Sequence, residues 1–212
     1  AASFMAAPGG LLMAKLMEPE TDQPVEPAPG EKLASEQYIN FIDAAATGAM
    51  NGLQMVGAIG AMLLAFIALI AMLNGMLEAA GALVGLEQLT LERVLGGLLQ
   101  PLAWALGVPW NEAQLAGSLI GQKFILNEFV AYVSYSEIAD QLSPHAQAIV
   151  IFALCGFANL SSIAILLGGL GAVAPSRRDD ISRYGMRALI AASLSNLMSA
   201  ALAGFFLSLG GL

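Results

Sequence analysis

Gly121-Gln122-Lys123-Phe124-Ile125-Leu126-Asn127-Glu128-Phe129-Val130-Ala131-Tyr132 decides how this chain is read. It puts an amine, an amide and a carboxylate at the middle of a partly apolar segment, residues 112–139. What that means depends on the surrounding solvent, and the flanking sequence supplies it. Residues 55–73, 146–176 and 188–212 carry no charge at all. Apolar runs of about 18 or more residues read as membrane-spanning helices. Over the whole chain of 212 residues, 58% are hydrophobic and 11% charged, against roughly 25% charged in soluble domains. Mean hydropathy is +0.73. A soluble globule needs a polar shell that this composition does not supply, which excludes a soluble enzyme, a nucleic-acid binder and a disordered chain. The fold class that remains is an all-α, polytopic membrane protein.

In that setting Glu128 is costly. Translocon scales place an acidic residue at a helix centre near +2.5 to +3.5 kcal/mol, so it survives where it is paired or faces an aqueous cavity. Polar residues at the middle of 112–139 suggest a re-entrant hairpin, two half-helices that enter and leave on one side. Irregular backbone at such depth is allowed only against protein or a cavity. The plainer alternative is a structural Lys123–Glu128 pair that stabilises the tip. A second polar cluster, Cys155-Gly156-Phe157-Ala158-Asn159-Leu160-Ser161-Ser162, interrupts the apolar stretch 144–174. Asn159 and Ser162 are three apart and share a helix face. Gly156 permits an unwound turn, and discontinuous helices of this kind build many transporter sites. Ordinary hydrogen-bonded helix packing is the competing reading.

Outward from these two clusters, residues 1–17 read as the end of a transmembrane helix broken at Pro8, Gly9 and Gly10. Residues 18–34 form an acidic, Pro-rich loop. Residues 35–79 hold an amphipathic helix, with Asp43, Thr47, Asn51 and Gln54 in one stripe, followed by a span over 55–78. Whether 35–54 crosses the membrane is left open. Residues 90–110 read as an interfacial helix with Trp104 and Trp110 at the headgroups. Residues 184–209 form the last span. Arg177, Arg178, Arg183 and Arg187 cluster before and at its start, which makes that side cytoplasmic under the positive-inside rule.

The remaining candidates carry little chemistry. Six of the sixteen acids lie between Glu18 and Glu36, so the net charge of −8 describes a loop and not a partner. One cysteine, Cys155, and one histidine, His145, exclude an intrachain disulfide, a Cys-based zinc site, a His pair and a Ser-His triad. Gly168, Gly169 and Gly171 read as close-packing glycines. Ser193, Ser195, Asn196 and Ser199 read as helix–helix hydrogen bonding on the last span. No nucleophile–base pair is visible, so the chain is not read as an enzyme. It opens on Ala1-Ala2-Ser3-Phe4-Met5 without an initiator Met or a basic leader, and reads as the C-terminal part of a longer protein.

Three ordered strings now carry a resemblance. Asn-Glu-Phe-Val-Ala-Tyr within 121–132, the cluster Cys155 to Ser162, and Ala2-Ser3-Phe4-Met5-Ala6-Ala7-Pro8 resemble signatures of the concentrative nucleoside transporter family. The link Ala174-Pro175-Ser176-Arg177-Arg178 is similar too. The resemblance implies eight spans, two re-entrant hairpins and a homotrimer in a lipid bilayer, with this chain as the C-terminal half of an inverted-repeat transporter. It implies that 112–139 is the second hairpin, 144–174 the broken seventh span, and 184–209 the eighth. It assigns the ribose side of a nucleoside site to Glu128, Asn159 and Ser162, lined by Phe157. It assigns a possible cation site to Ser3 and Phe4, where the family often has a smaller aliphatic residue at the second place. The expected function is cation-coupled nucleoside symport by alternating access, driven by Na+ or H+ with no other cofactor, in a multi-pass bacterial inner membrane protein. The alternatives are a channel-like membrane protein or a non-transporting fragment. The first hairpin, with its Gly-Gln-Thr-Glu type motif for the nucleobase, has no counterpart in the sequence.

Overall fold

A computed structural model describes residues 1–21, 39–83, 85–86, 89–160, 162–163 and 175–210. All regular structure among them is helical: α1 (Ala2–Met17), α2 (Phe41–Leu83), α3 (Leu91–Ala105), α4 (Trp110–Ile125), α5 (Glu128–Ile138), α6 (Pro144–Leu154) and α7 (Arg178–Leu209), with 3-10 turns at Ala139–Gln141 and Pro175–Arg177. The chain divides into two compact units, residues 20–72 and residues 1–19 with 73–212.

In the smaller unit the start of α2 is set by a reciprocal cap. Asn40 Oδ1 accepts from the amides of Ile42 and Asp43 at 3.0 and 2.9 Å, and Asp43 reaches back to the Ile39 amide at 3.1 Å. These bonds satisfy amides that no helical carbonyl can reach. From there α2 runs unbroken to Leu83. The sequence suggests two elements over 35–79. One helix forms because the run contains no proline, and Gly48, Gly52, Gly57 and Gly60 each weaken a helix by only about 1 kcal/mol.

The larger unit is built on two close contacts. The first is α3 against α4. A Cβ on Gly117 would lie 2.8 Å from the Leu99 carbonyl carbon, and one on Gly121 would lie 2.8 Å from Leu95 Cβ. α3 starts at its Thr90 cap and ends at Gly107, whose φ of +105° only glycine adopts freely. There the Val108 amide bonds the Ala103 carbonyl and the Gly107 amide the Trp104 carbonyl, closing a Schellman motif. At its other end α3 is tied to α2: Asn74 accepts from the Leu91 amide at 2.7 Å and donates to both Glu92 oxygens. The second contact is α1 on α7 through Gly9, the buried residue of α1, beside Ser195 and Met198. Arg187 pairs with Glu18 at one end of it.

α1 is continuous through Pro8, Gly9 and Gly10, so the interruption expected there is absent. A proline removes one i→i−4 bond, and the rest of the ladder carries on past it. α7 begins at Arg178 rather than 184, with Asp179 and Asp180 in its first turn, where the helix dipole favours acids. It is also a helix long and apolar enough to cross a membrane, from Asp179 to Leu209. Residues 22–38, which hold most of the acidic loop and the start of the expected amphipathic helix, and residues 164–174, with Gly168, Gly169 and Gly171, lie outside the described residues.

Between these contacts sit α4, α5 and α6. The helix ending at Ile125 restarts at Glu128, and the two arms fold back on each other: Ser134 of α5 donates to Gln122 Oε1 of α4 at 2.7 Å. α6 runs parallel to α4, fastened at both ends. At the start Glu112 accepts from the amide and hydroxyl of Ser143 at 2.8 and 2.9 Å, and at the end Lys123 reaches Ala153. At 1.5 Å per residue, Glu112 to Lys123 and Ser143 to Ala153 each rise about 15–17 Å, so the two helices match in length. The core between them is apolar, with Leu119, Ile120, Ile149 and Leu154 fully buried.

Candidate functional site

Asn127 is extended, and its side chain caps α5 by accepting from the Val130 amide at 2.9 Å. That cap places Glu128 as the first residue of α5. A carboxylate there faces the positive end of the helix dipole and backbone amides without helical partners. Glu128 is half-buried, while Asn127 is buried beside it.

The second component comes from the end of α6. The helix stops at Leu154, the chain runs non-helical from Cys155 to Asn159, and helical residues return at Leu160. A Cβ on Gly156 would overlap the Asn196 amide of α7, so a larger residue at this turn would have to displace that side chain. Asn159 is fully buried and uses its amide in two directions. Its Oδ1 accepts from the Ser162 amide at 2.9 Å, capping the returning helix. Its Nδ2 donates to Glu128 Oε2 at 2.9 Å. Ser162 closes the cap by donating its hydroxyl to the Asn159 carbonyl at 2.6 Å. A carboxylate, an amide and a hydroxyl are thus linked in one chain, a donor and acceptor set suited to a vicinal diol or another small polyol.

Phe157 lies two residues before Asn159 and is 55% exposed. Together with Ala6, Gly10, Ser195 and Asn196 it lines a cavity of about 140 Å³ between α1, the non-helical stretch and α7. Ser195 Oγ is buried there without a hydrogen-bond partner among the described residues. Among the described residues no three His, Cys, Asp or Glu side chains converge as a metal site.

A family model described as "Na+ dependent nucleoside transporter C-terminus" matches residues 1–204. The chain belongs to that family. A nucleoside permease, NupC, of Helicobacter pylori is 47% identical over 99% of this chain and 50% of its own length. An uncharacterized transporter of Bacillus subtilis, YutK, is 54% identical over 98% of the chain and 52% of its own. The chain therefore spans about half the length of the curated relatives it matches. A solved structure of CNTnw in an inward-facing substrate-bound state superposes with a TM-score of 0.92 at 54% identity, covering 100% of this chain and 50% of that one. These relatives are described as transporters and permeases, not enzymes.

Against the family's residues, the structure brings together Glu128, Asn159 and Ser162 and sets Phe157 beside them in sequence on an exposed turn. Ser3 lies against the same non-helical stretch, its Oγ 3.6 Å from Cys155 Sγ. The Phe4 side chain points away and is 86% exposed. Two further residues emerge: Lys123, which the sequence offered only as a partner for Glu128, and Tyr132, to which it gave no role. Lys123, whose side chain is the largest fully buried one among the described residues, donates to the Ala153 carbonyl at 2.7 Å and makes no ion pair with Glu128. Tyr132 donates to the Ile151 carbonyl at 3.1 Å. Both stand in the quoted 121–132 string, but their partners are backbone carbonyls of another helix, which no spacing rule reveals.

Proposed function

We propose that this chain is the C-terminal part of a cation-coupled symporter that imports nucleosides by alternating access, and that it holds the ribose side of the substrate site. The observation that carries this is the Glu128–Asn159–Ser162 chain at the meeting point of two helix breaks. Glu128 accepts the ribose hydroxyl hydrogens, Asn159 and Ser162 complete the polar set, and Phe157 supplies an apolar face to the sugar or base. Hydrogen bonds to an ionised acceptor are roughly twice as strong as neutral ones.

Helix lengths support a re-entrant hairpin over 112–139 and a discontinuous helix from Pro144. α4 has 16 residues and α5 and α6 have 11 each. At 1.5 Å per residue these reach about 24, 16 and 16 Å, short of the roughly 30 Å hydrocarbon core. α3, whose exposed Trp104 makes an edge-to-face pair with the exposed Trp110 at the start of α4, suits the interface. The protein is then multi-pass in the plasma membrane, and its exposed apolar helix faces are covered by lipid and by two further copies in a homotrimer.

The coupling ion is Na+, in keeping with the family description. The reason lies in the backbone. Pro8 has no amide, so the Phe4 carbonyl four residues earlier lacks its helical donor. The Ser3 hydroxyl, one residue earlier, would add a second hard oxygen, and a Phe side chain directed outward does not interfere.

The test is Glu128→Gln in the full-length transporter. Losing one charge-assisted bond of about 1.5–3 kcal/mol lowers nucleoside uptake by about 10-fold to 150-fold. Unchanged uptake removes Glu128 from the site. Saturable uptake that rises with external sodium supports symport, and unsaturable conductance contradicts it.

A further inference from the structure

Both arms of the α4–α5 hairpin reach one helix end. α6 stops at Leu154, so the carbonyls of its last turn lack the donors that a longer helix would supply. Cys155 and Gly156 cover two of them, through bonds to Ile151 and Leu154. The hairpin supplies the rest of the fastening: Lys123 from α4 binds the Ala153 carbonyl and Tyr132 from α5 binds the Ile151 carbonyl. Asn159 follows this fastened end after a short non-helical stretch, and its Nδ2 meets Glu128, which lies between Lys123 and Tyr132 in sequence.

We infer that Lys123 and Tyr132 are positioning residues for ribose recognition: by holding the end of α6 against the hairpin they fix Asn159 relative to Glu128. The inference rests on the proposed function. A buried lysine is rarely tolerated unless its charge is compensated. Lys123 is fully buried, in the last turn of α4 and against the last turn of α6. It therefore faces the negative ends of two helix dipoles at once. Glu128 stands at the positive end of a third, α5. An ammonium on its flexible stem reaches a carbonyl that no residue of α6 itself serves. Tyr132 adds a neutral bond closer to the helix middle. A hydrophobic side chain of equal length at position 123 would fill the space and leave the end of α6 unfastened. The non-helical stretch would then be free to carry Asn159 away from the carboxylate.

The experiment uses the full-length transporter, purified and checked for folding by thermal unfolding, with uridine and adenosine each measured against its 3′-deoxy analogue. The wild type binds the ribonucleoside about tenfold or more tighter, as a site built around a hydroxyl should. Lys123→Met brings that ratio to within about threefold, and Tyr132→Phe lowers it by about twofold to threefold, the low end of what one neutral hydrogen bond is worth. If both variants fold and keep the wild-type ratio, or lose affinity equally for ribose and deoxyribose, the positioning role is overturned. If Lys123→Met does not fold, Tyr132→Phe decides alone. A wild type that binds both sugars equally overturns the ribose-side reading instead.

Discussion

The proposed ribose site at the hairpin tip and the proposed cation site near Ser3 and Phe4 would present oxygen to their ligands by different means. At the tip, side chains do the work: Asn127 caps α5, Glu128 follows, and Asn159 is held by the helix it caps. At the start of α1 the backbone does it, because a proline four residues on leaves the Phe4 carbonyl without its helical donor. The difference suits what each is proposed to bind. A polyol has directional donors and acceptors and needs side chains that match them. A small hard cation needs oxygen at the right radius, and a carbonyl serves as well as a hydroxyl. Side-chain substitutions should therefore be severe in the first region and, apart from Ser3, mild in the second unless they alter the backbone.

Substitutions in the full-length transporter sharpen or break that contrast. After Glu128→Gln, Asn159→Ala should have the largest effect, about 10- to 100-fold in nucleoside affinity, since it removes both the Glu128 donor and a helix cap worth about 1 kcal/mol. Asn159→Asp separates the two roles. It keeps the capping oxygen and sets a second carboxylate against Glu128, so binding measured by calorimetry should be lost as fully as in the alanine variant. Retained affinity would show that the cap alone matters. Pro8→Ala restores an amide that competes for the Phe4 carbonyl. The sodium concentration for half-maximal uptake should rise about threefold to tenfold, the worth of roughly one hydrogen bond, while nucleoside affinity at saturating sodium stays the same. Phe4→Leu should do least, within about twofold, because an exposed side chain contributes little beyond its backbone. A large loss of sodium dependence there would mean that the side chain, not the carbonyl, belongs to the site.

The helical class is legible in the sequence because three uncharged stretches leave no other solvent for them. The site is marked there too, since Glu128 and Asn159 are polar residues in costly surroundings, and such residues stand out against an apolar background. Pairing across elements is what the sequence conceals. Lys123 and Glu128 are five apart and invite an ion pair, yet the ammonium goes to the end of α6 and the carboxylate to Asn159. Helix continuity is misread at Pro8 and at residues 54–55 for a related reason. A proline or a change in polarity signals a local preference, and one missing hydrogen bond is outweighed by the ladder on either side and, for α1, by the Gly9 contact with α7.

Everything proposed for the hairpin tip depends on the Glu128 carboxylate reading the sugar. The direct measurement is equilibrium binding of uridine and 2′,3′-dideoxyuridine to the full-length wild-type protein and to its Glu128→Gln variant. If Glu128 holds the ribose hydroxyls, the substitution weakens uridine by at least about tenfold and leaves the dideoxynucleoside within about twofold. An equal loss for both ligands, or none for uridine, would contradict it.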